Sequence, residues 1–315
     1  MWVECIPNFS EGSDRKTLEN ILAAAEETGV RILGFEGDVD HNRAVMTLAG
    51  DGETVLQAVL AAARVAVREI DLTRQSGTHP RLGALDVVPF VPLGSTPMAY
   101  AVDLATRLGR QLGDELGVPV YLYEQAATRP EHKNLADVRR GQFEGLLARM
   151  PVDPPDFGPH TPHPTAGAMA VGARFPLIAF NVFLTTADLE IAQAVARAVR
   201  ASSGGLVGVK ALAMDTVHRG RAQVSLNLVD YPTTSLPAAI EMVRREAGRY
   251  GVGIAQTELI GLMPAQAMID SLRYYLQLPD LEAQQVVELA LAGSEFTPQH
   301  QPRGFRPRGE EENTQ

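Results

Sequence analysis

Cysteine is almost missing from this sequence: Cys5 stands alone among 315 residues. That excludes an intramolecular disulfide framework and a cysteine-rich zinc site. No apolar run approaches the roughly 20 residues a membrane-spanning helix needs. The opening residues, MWVECIPNFSEG, lack a basic leader ahead of an apolar segment, so no secretory signal is read there. No glycine-rich phosphate fingerprint sits at a strand-to-helix turn, which speaks against Rossmann and P-loop nucleotide sites. Positive charge is also in short supply. The 28 Lys and Arg against 38 Asp and Glu leave a net charge of −10, which speaks against sequence-independent nucleic-acid binding. The expectation is a soluble, cytoplasmic protein with no nucleic-acid or membrane partner. An acidic protein that binds an acidic metabolite needs arginines or helix N-termini focused on the site.

What is present is a long alternation of strand and helix patterns. WVECIP reads as a strand stopped by Pro7. The next segment places Leu18, Ile21, Leu22 and Ala25 at helical spacing and closes at Gly29. VRILGFEGD and HNRAVMTLAG read as strands, and residues 52–72 as a second amphipathic helix. LDVVPFVPL, a third helix and VPVYLYEQA follow. Residues 151–176, rich in proline and glycine, read as a linker or a long functional loop. After them the pattern restarts as strand, helix, strand, strand, helix, strand, which is the ferredoxin-like order. The predicted fold is α/β (α+β), with two α/β sandwich subdomains over residues 1–176 and 177–296. The second is ferredoxin-like, with a substrate cleft between the two. Residues 297–315 are polar and proline-containing and read as a disordered tail.

Few residues stand out as chemistry. His79, in SGTHPRLGALD, is followed by Pro80, which disfavours the helical region for the histidine and stiffens its backbone. Imidazole titrates near neutrality and suits proton transfer, although a loop histidine more often bonds a neighbouring carbonyl. DVDHNR, residues 38–43, gathers two aspartates, a histidine, an asparagine and an arginine, a composition that solvated turns also favour. His160 and His163 are three apart but lack a nearby carboxylate or cysteine, so no metal is expected. Met263 to Met268 reads as core.

Several ordered segments go further: VECIPNFSEG, HNRAV, IDLTRQSGTHPRLGALDVVPFVP, LGVPVYLYEQA, PDFGPH, GARFPLIAFNVFL, AQVSLNLVDY and ELIGLMPAQAMID. Together they resemble the formiminotransferase family from Val3 to about Tyr275. The resemblance implies transfer of a formimino group from N-formimino-L-glutamate to tetrahydrofolate in histidine degradation. Tetrahydrofolate would be a co-substrate, with no metal or nucleotide, and the protein a homodimer. The length resembles the stand-alone bacterial form rather than the animal proteins that continue into a cyclodeaminase domain.

The resemblance also implies site residues. The histidine of THPRLGALD, His79, matches the family's catalytic histidine. The family carries an aspartate on the strand before the Asn-Arg pair. The matching position here is Glu36, with Asp40 the second choice for that carboxylate. The folate-binding loop matches Thr165–Arg174. Within it Thr165, Gly167, Ala168 and Gly172 would bring backbone close to the ligand, and Arg174 would meet a carboxylate. Ala166 stands where relatives can carry a tryptophan, which removes a stacking surface. Arg43 and Arg81 are further carboxylate-binding candidates. The competing readings are formyl transfer between 5-formyltetrahydrofolate and glutamate, a non-catalytic folate-binding protein, and an interaction module.

Overall fold

The computed structural model describes residues 1–39, 41–77, 80–216 and 220–292. His79, Asp40 and the tail from Thr297 lie outside the described residues.

The first half builds one mixed sheet. Its strands are β1 (Trp2–Cys5), β2 (Asn8–Phe9), β3 (Arg31–Asp38), β4 (Arg43–Asp51), β5 (Leu85–Pro92), β6 (Val120–Glu124) and β7 (Met169–Ala173). Pro7 splits what would be one strand. β1 and β2 both lie between β4 and β5, and Met46 N–H still bonds the Pro7 carbonyl at 3.0 Å. The sheet therefore runs β3, β4, β1/β2, β5, β7, β6. Its first four positions are antiparallel, whereas β7 pairs in parallel with β5 and β6.

Helices α1 (Arg15–Glu26), α2 (Gly52–Glu69) and α3 (Met98–Leu116) cover the rear face. Asp14 and Asp51 cap the first two, each side chain accepting two backbone N–H groups of the first turn. The predicted stripe on α1 packs as expected, with Ile21 and Ala25 buried and Leu18 and Leu22 against them. The front face is only partly covered. Two short helices, α4 (Leu135–Val138) and α5 (Gln142–Arg149), seat Val138 and Leu146 on Leu82, Val87, Tyr121, Tyr123, Ala168 and Ala170. Glu36, Val45, Asn8 and Val87 are successive cross-strand partners and share that front face.

The second half comprises β8 (Ile178–Leu184), α6 (Leu189–Val199), β9 (Val209–Thr216), β10 (Arg221–Leu228), α7 (Leu236–Gly248) and β11 (Ile254–Ile260). Helices α8 (Ala265–Leu276) and α9 (Val287–Ala292) follow. The antiparallel order β11-β8-β10-β9 is the ferredoxin-like one. In the first half β5, β1/β2, β4 and β3 repeat that order, and β7 and β6 extend it.

One sequence expectation is corrected. Residues 151–176 are not a linker, because they supply β7 inside the sheet. A strand buried on both faces shows no alternation. Here three of its five residues are alanine or glycine, which reads as loop. Gly172 is tightly packed. A Cβ there would lie 2.6 Å from the Tyr123 ring and carbonyl. Gly172→Ala is therefore expected to cost about 1–3 kcal/mol of stability by overpacking. Urea unfolding checks this, and an unchanged midpoint would mean the strand can shift freely.

Candidate active site

Both flanks of His79 are held by identifiable contacts. On the preceding side, Gln75 Nε2 donates to the Asn42 carbonyl at 3.0 Å and Asn42 Nδ2 donates to the Ser76 carbonyl at 2.8 Å. Asn42 Oδ1 accepts the Gly12 N–H at 2.9 Å. The DVDHNR segment thus lies against the segment that leads into His79, two candidates that are 36 residues or more apart in sequence meeting at one place. In the same turn the His41 ring meets Asp38 at 2.8 Å.

On the following side, the Leu82 N–H donates to Asp86 Oδ1 at 2.7 Å and the Leu82 carbonyl accepts from Ala168 N–H at 3.2 Å. The Ser10 hydroxyl donates to the Gly83 carbonyl at 2.7 Å. Arg81 is spent on structure: its Nη2 donates to Glu144 Oε1 at 2.9 Å and to the Gln75 carbonyl at 3.3 Å.

Asp86 lies beneath the following flank and is fully buried. Arg43 Nη1 donates to its Oδ2 at 2.8 Å, and Arg139 Nη2 bonds the same oxygen. Arg43 also donates through Nε and Nη2 to Asn8 Oδ1, at 3.1 and 2.8 Å. Burial alone would push the Asp86 carboxyl up. The Arg139 and Arg43 guanidiniums reverse that and hold it below its ordinary value. Arg43, proposed for substrate carboxylates, is therefore already committed to Asp86. Sequence reasoning missed Asp86, Arg139 and Asn8. The available signal was an aspartate inside the apolar run LGALDVVPF, since a buried charge demands partners.

A second charged group lies at the C-terminal ends of β6 and β7. Burial pushes the Glu4 carboxyl up, against the pull of Arg174. Burial does the same to Glu124, against Lys210 and Arg174. Lys210 belongs to β9, so this group draws on both halves. Glu36 is exposed on the front face beside β4, opposite Val45. Among the described residues no three His, Cys, Asp or Glu side chains converge to hold a metal ion.

Sequence comparison decides the family. The description "Formiminotransferase domain, N-terminal subdomain" matches residues 2–174, and "Formiminotransferase domain" matches 179–298. The chain belongs to the formiminotransferase family. It is 43% identical over 295 residues to a glutamate formimidoyltransferase of Streptococcus pyogenes, covering 92% of this chain and 99% of that one. A protein of the same name from Thermoplasma acidophilum is 45% identical over 291 residues, covering 91% and 96%. The formimidoyltransferase-cyclodeaminase of Gallus gallus is 38% identical over 284 residues, which is 87% of this chain and 52% of that one.

Within the segment Thr165–Arg174 a turn at Thr165 and Ala166 leads into β7, Met169–Ala173. Ala166 through Ala173 are buried, so only Thr165 and Arg174 retain exposed surface. Gly167 has φ +69, and a Cβ on it would lie 2.3 Å from the Leu82 carbonyl. The space a Cβ would take at Gly167 is thus filled by protein, as is that at Gly172. Ala168 serves as a strap for Leu82. The Ala166 side chain joins the rear core. His163 Nδ1 accepts the Ala166 N–H at 3.0 Å, which requires the neutral ring, and burial pushes its imidazole below the ordinary value.

Two outcomes are expected. Asp86→Ala leaves two arginines facing a gap and should cost about 3–5 kcal/mol. Denaturant unfolding reads this, and a loss under about 1 kcal/mol would show the arginines finding other partners. The depressed His163 value means that the unfolded chain binds the proton more readily. Its contribution is thus fully present above about pH 6.5 and is lost as pH falls from there through the folded value. The melting temperature of the parent should drop more between pH 7 and pH 5 than that of His163→Gln; parallel curves would contradict this.

Proposed function

We propose that this protein transfers the formimino group of N-formimino-L-glutamate to N5 of tetrahydrofolate, as the names of its relatives suggest, in histidine degradation. The observation that carries the reading is the match to both formiminotransferase domain descriptions over nearly the whole chain. The clustering of the DVDHNR turn, the two flanks of His79 and the buried Asp86 pair supports it.

The formimino carbon belongs to an amidinium and is electrophilic at neutral pH. The uncharged N5 amine attacks it, and the tetrahedral intermediate must lose a proton from N5. The glutamate nitrogen must gain one before its bond to carbon breaks. His79 accepts the first proton and delivers it as the second, releasing glutamate and 5-formiminotetrahydrofolate. A carboxylate stabilises the amidinium, Glu36 first and Asp40 second. Arg174 is the arginine best suited to a substrate carboxylate, because Arg43 and Arg81 are bound to Asp86 and Glu144. The substrates occupy a cleft between the halves 1–176 and 177–296, and residues 297–315 form a tail. The protein acts as a cytoplasmic homodimer.

Incubation with tetrahydrofolate and formiminoglutamate, then acid conversion of the product to 5,10-methenyltetrahydrofolate, reads turnover by absorbance. His79→Ala should lose about 10²- to 10⁴-fold. Equal turnover in both proteins would remove His79 from the mechanism. Turnover only from 5-formyltetrahydrofolate to glutamate would move the reading to formyl transfer. Folate binding with neither reaction would leave a binding protein.

A further inference from the structure

The segment preceding His79 has little packing of its own, since Gln75, Ser76 and Gly77 lie at the surface or close to it. Gln75 is held by the Asp71 carbonyl and by Arg81, and the Ser76 carbonyl is held by one side chain, that of Asn42. Asn42 sits in the left-handed region at φ 48, which asparagine tolerates better than most residues. From there its amide faces two ways. Oδ1 takes the Gly12 N–H at 2.9 Å, and Nδ2 gives to the Ser76 carbonyl at 2.8 Å. Exchanging the two atoms would set an amine against an N–H and an oxygen against a carbonyl, so the network fixes the amide's orientation. The approach is close on the backbone side too, because a Cβ at Gly77 would lie 2.5 Å from the His41 carbonyl and 2.9 Å from Asn42 Cβ. The Gln75 amide returns a bond to the Asn42 carbonyl at 3.0 Å. Beyond His79 the chain is held by Asp86 on the Leu82 N–H, and Arg81 reaches back to the Gln75 carbonyl at 3.3 Å.

We propose that Asn42 is a positioning residue for His79: its side-chain amide fastens Ser76, three residues ahead of the histidine, to the Gly12 turn, and proton transfer by His79 depends on that tie. The proposal rests on the reading of His79 as the proton shuttle. Asn42 touches no reacting atom in this account; it acts through Ser76 and Gly77. Proton transfer between two nitrogens is sensitive to such placement, since a shift of about 1 Å can cost roughly 10²-fold in rate.

Two variants test it. Asn42→Asp keeps the shape and the Gly12 acceptor but turns an oxygen toward the Ser76 carbonyl. Asn42→Gly keeps the left-handed backbone and removes both bonds without adding repulsion. Both should lower kcat roughly 10- to 100-fold. KM for each substrate should stay within about threefold, the pattern of a lost transition-state interaction. Introduced into His79→Ala, either variant should lower the residual rate by less than about twofold, because the two changes would act through one group. A loss that persists undiminished in the His79→Ala background, or an unchanged kcat in both variants, would overturn the proposal. If the parent itself shows no turnover, the functional reading fails, and ¹⁵N-histidine NMR decides the inference alone. A His79 titration midpoint or ring environment altered in both variants supports it, and superimposable titrations sink it.

Discussion

A carboxylate removed from water must be met by positive charge and hydrogen-bond donors, and Asp86 is such a group in the first half. Its partners come from three separate stretches. Arg43 stands at the start of β4, Arg139 follows α4, and the Leu82 amide lies just past His79. None of these can be placed independently of the others once the carboxylate is buried. The Asp86 cluster therefore ties the turn after α2, the DVDHNR turn and the excursion between β6 and β7 into one corner. The far end of that excursion is secured in the same way. Asp153 accepts from Arg149 at 2.7 Å and meets His132 at 2.9 Å, while the Arg149 guanidinium lies 4.6 Å from the centre of the Tyr121 ring. Burial pushes the Tyr121 hydroxyl up to about 12, so the ring stays neutral beneath the cation.

The net charge of −10 would repel an anionic substrate at long range, so attraction has to be local. On the proposed reading Arg174 serves that purpose; it lies in the field of Glu4 and Glu124, and Lys210 in that of Glu124. These carboxyls compete with any incoming carboxylate for Arg174. Burial works against their charged forms, and Arg174 works for them. The left-handed backbone of Glu124, at φ 55, marks the end of β6 as a place where chain geometry has been bent to hold a side chain.

How much of this was legible depends on what each residue has to satisfy. Helices α1 and α2 were readable because their apolar stripes and aspartate caps are local facts. The ferredoxin-like order of the second half followed from element order alone. The turn carrying His79 and the DVDHNR turn were visible as motifs, yet their adjacency was not, because it depends on the Asn42 amide and on pairing across the sheet. β7 escaped since a small-residue strand between two neighbours has neither alternation nor bulk. The glycines of Thr165–Arg174 suggested ligand approach, and the neighbours that fill that space, Tyr123 and the Leu82 carbonyl, lie far from them in sequence. Arg43 and Arg81 looked available for the same reason: their partners, Asp86 and Glu144, lie 43 and 63 residues away.

The two halves share a four-position core, which carries Glu36, Arg43 and Asp86 in the first half, and other candidate groups lie outside what they share. In the second half β11 is an edge with most of its residues half-buried or exposed. In the first half the corresponding edge, β5, is extended in parallel by β7 and β6, which requires the α3 crossover. That extension brings Glu124 and Arg174 to the ends of neighbouring strands, and the long return between β6 and β7 supplies Arg139 and Glu144. The turn between α2 and β5 supplies His79 and Arg81. A common core can therefore serve as scaffold in both halves while, on the proposed mechanism, the proton-transfer group belongs to the first, and Lys210 of the second lies in the field of Glu124. The asymmetry also limits what repetition of a fold implies. Equal strand order predicts equal packing of Ile21 or Val195 against a sheet, and it says nothing of where reactive groups lie, since His79 and Arg174 belong to segments that the repeat does not contain.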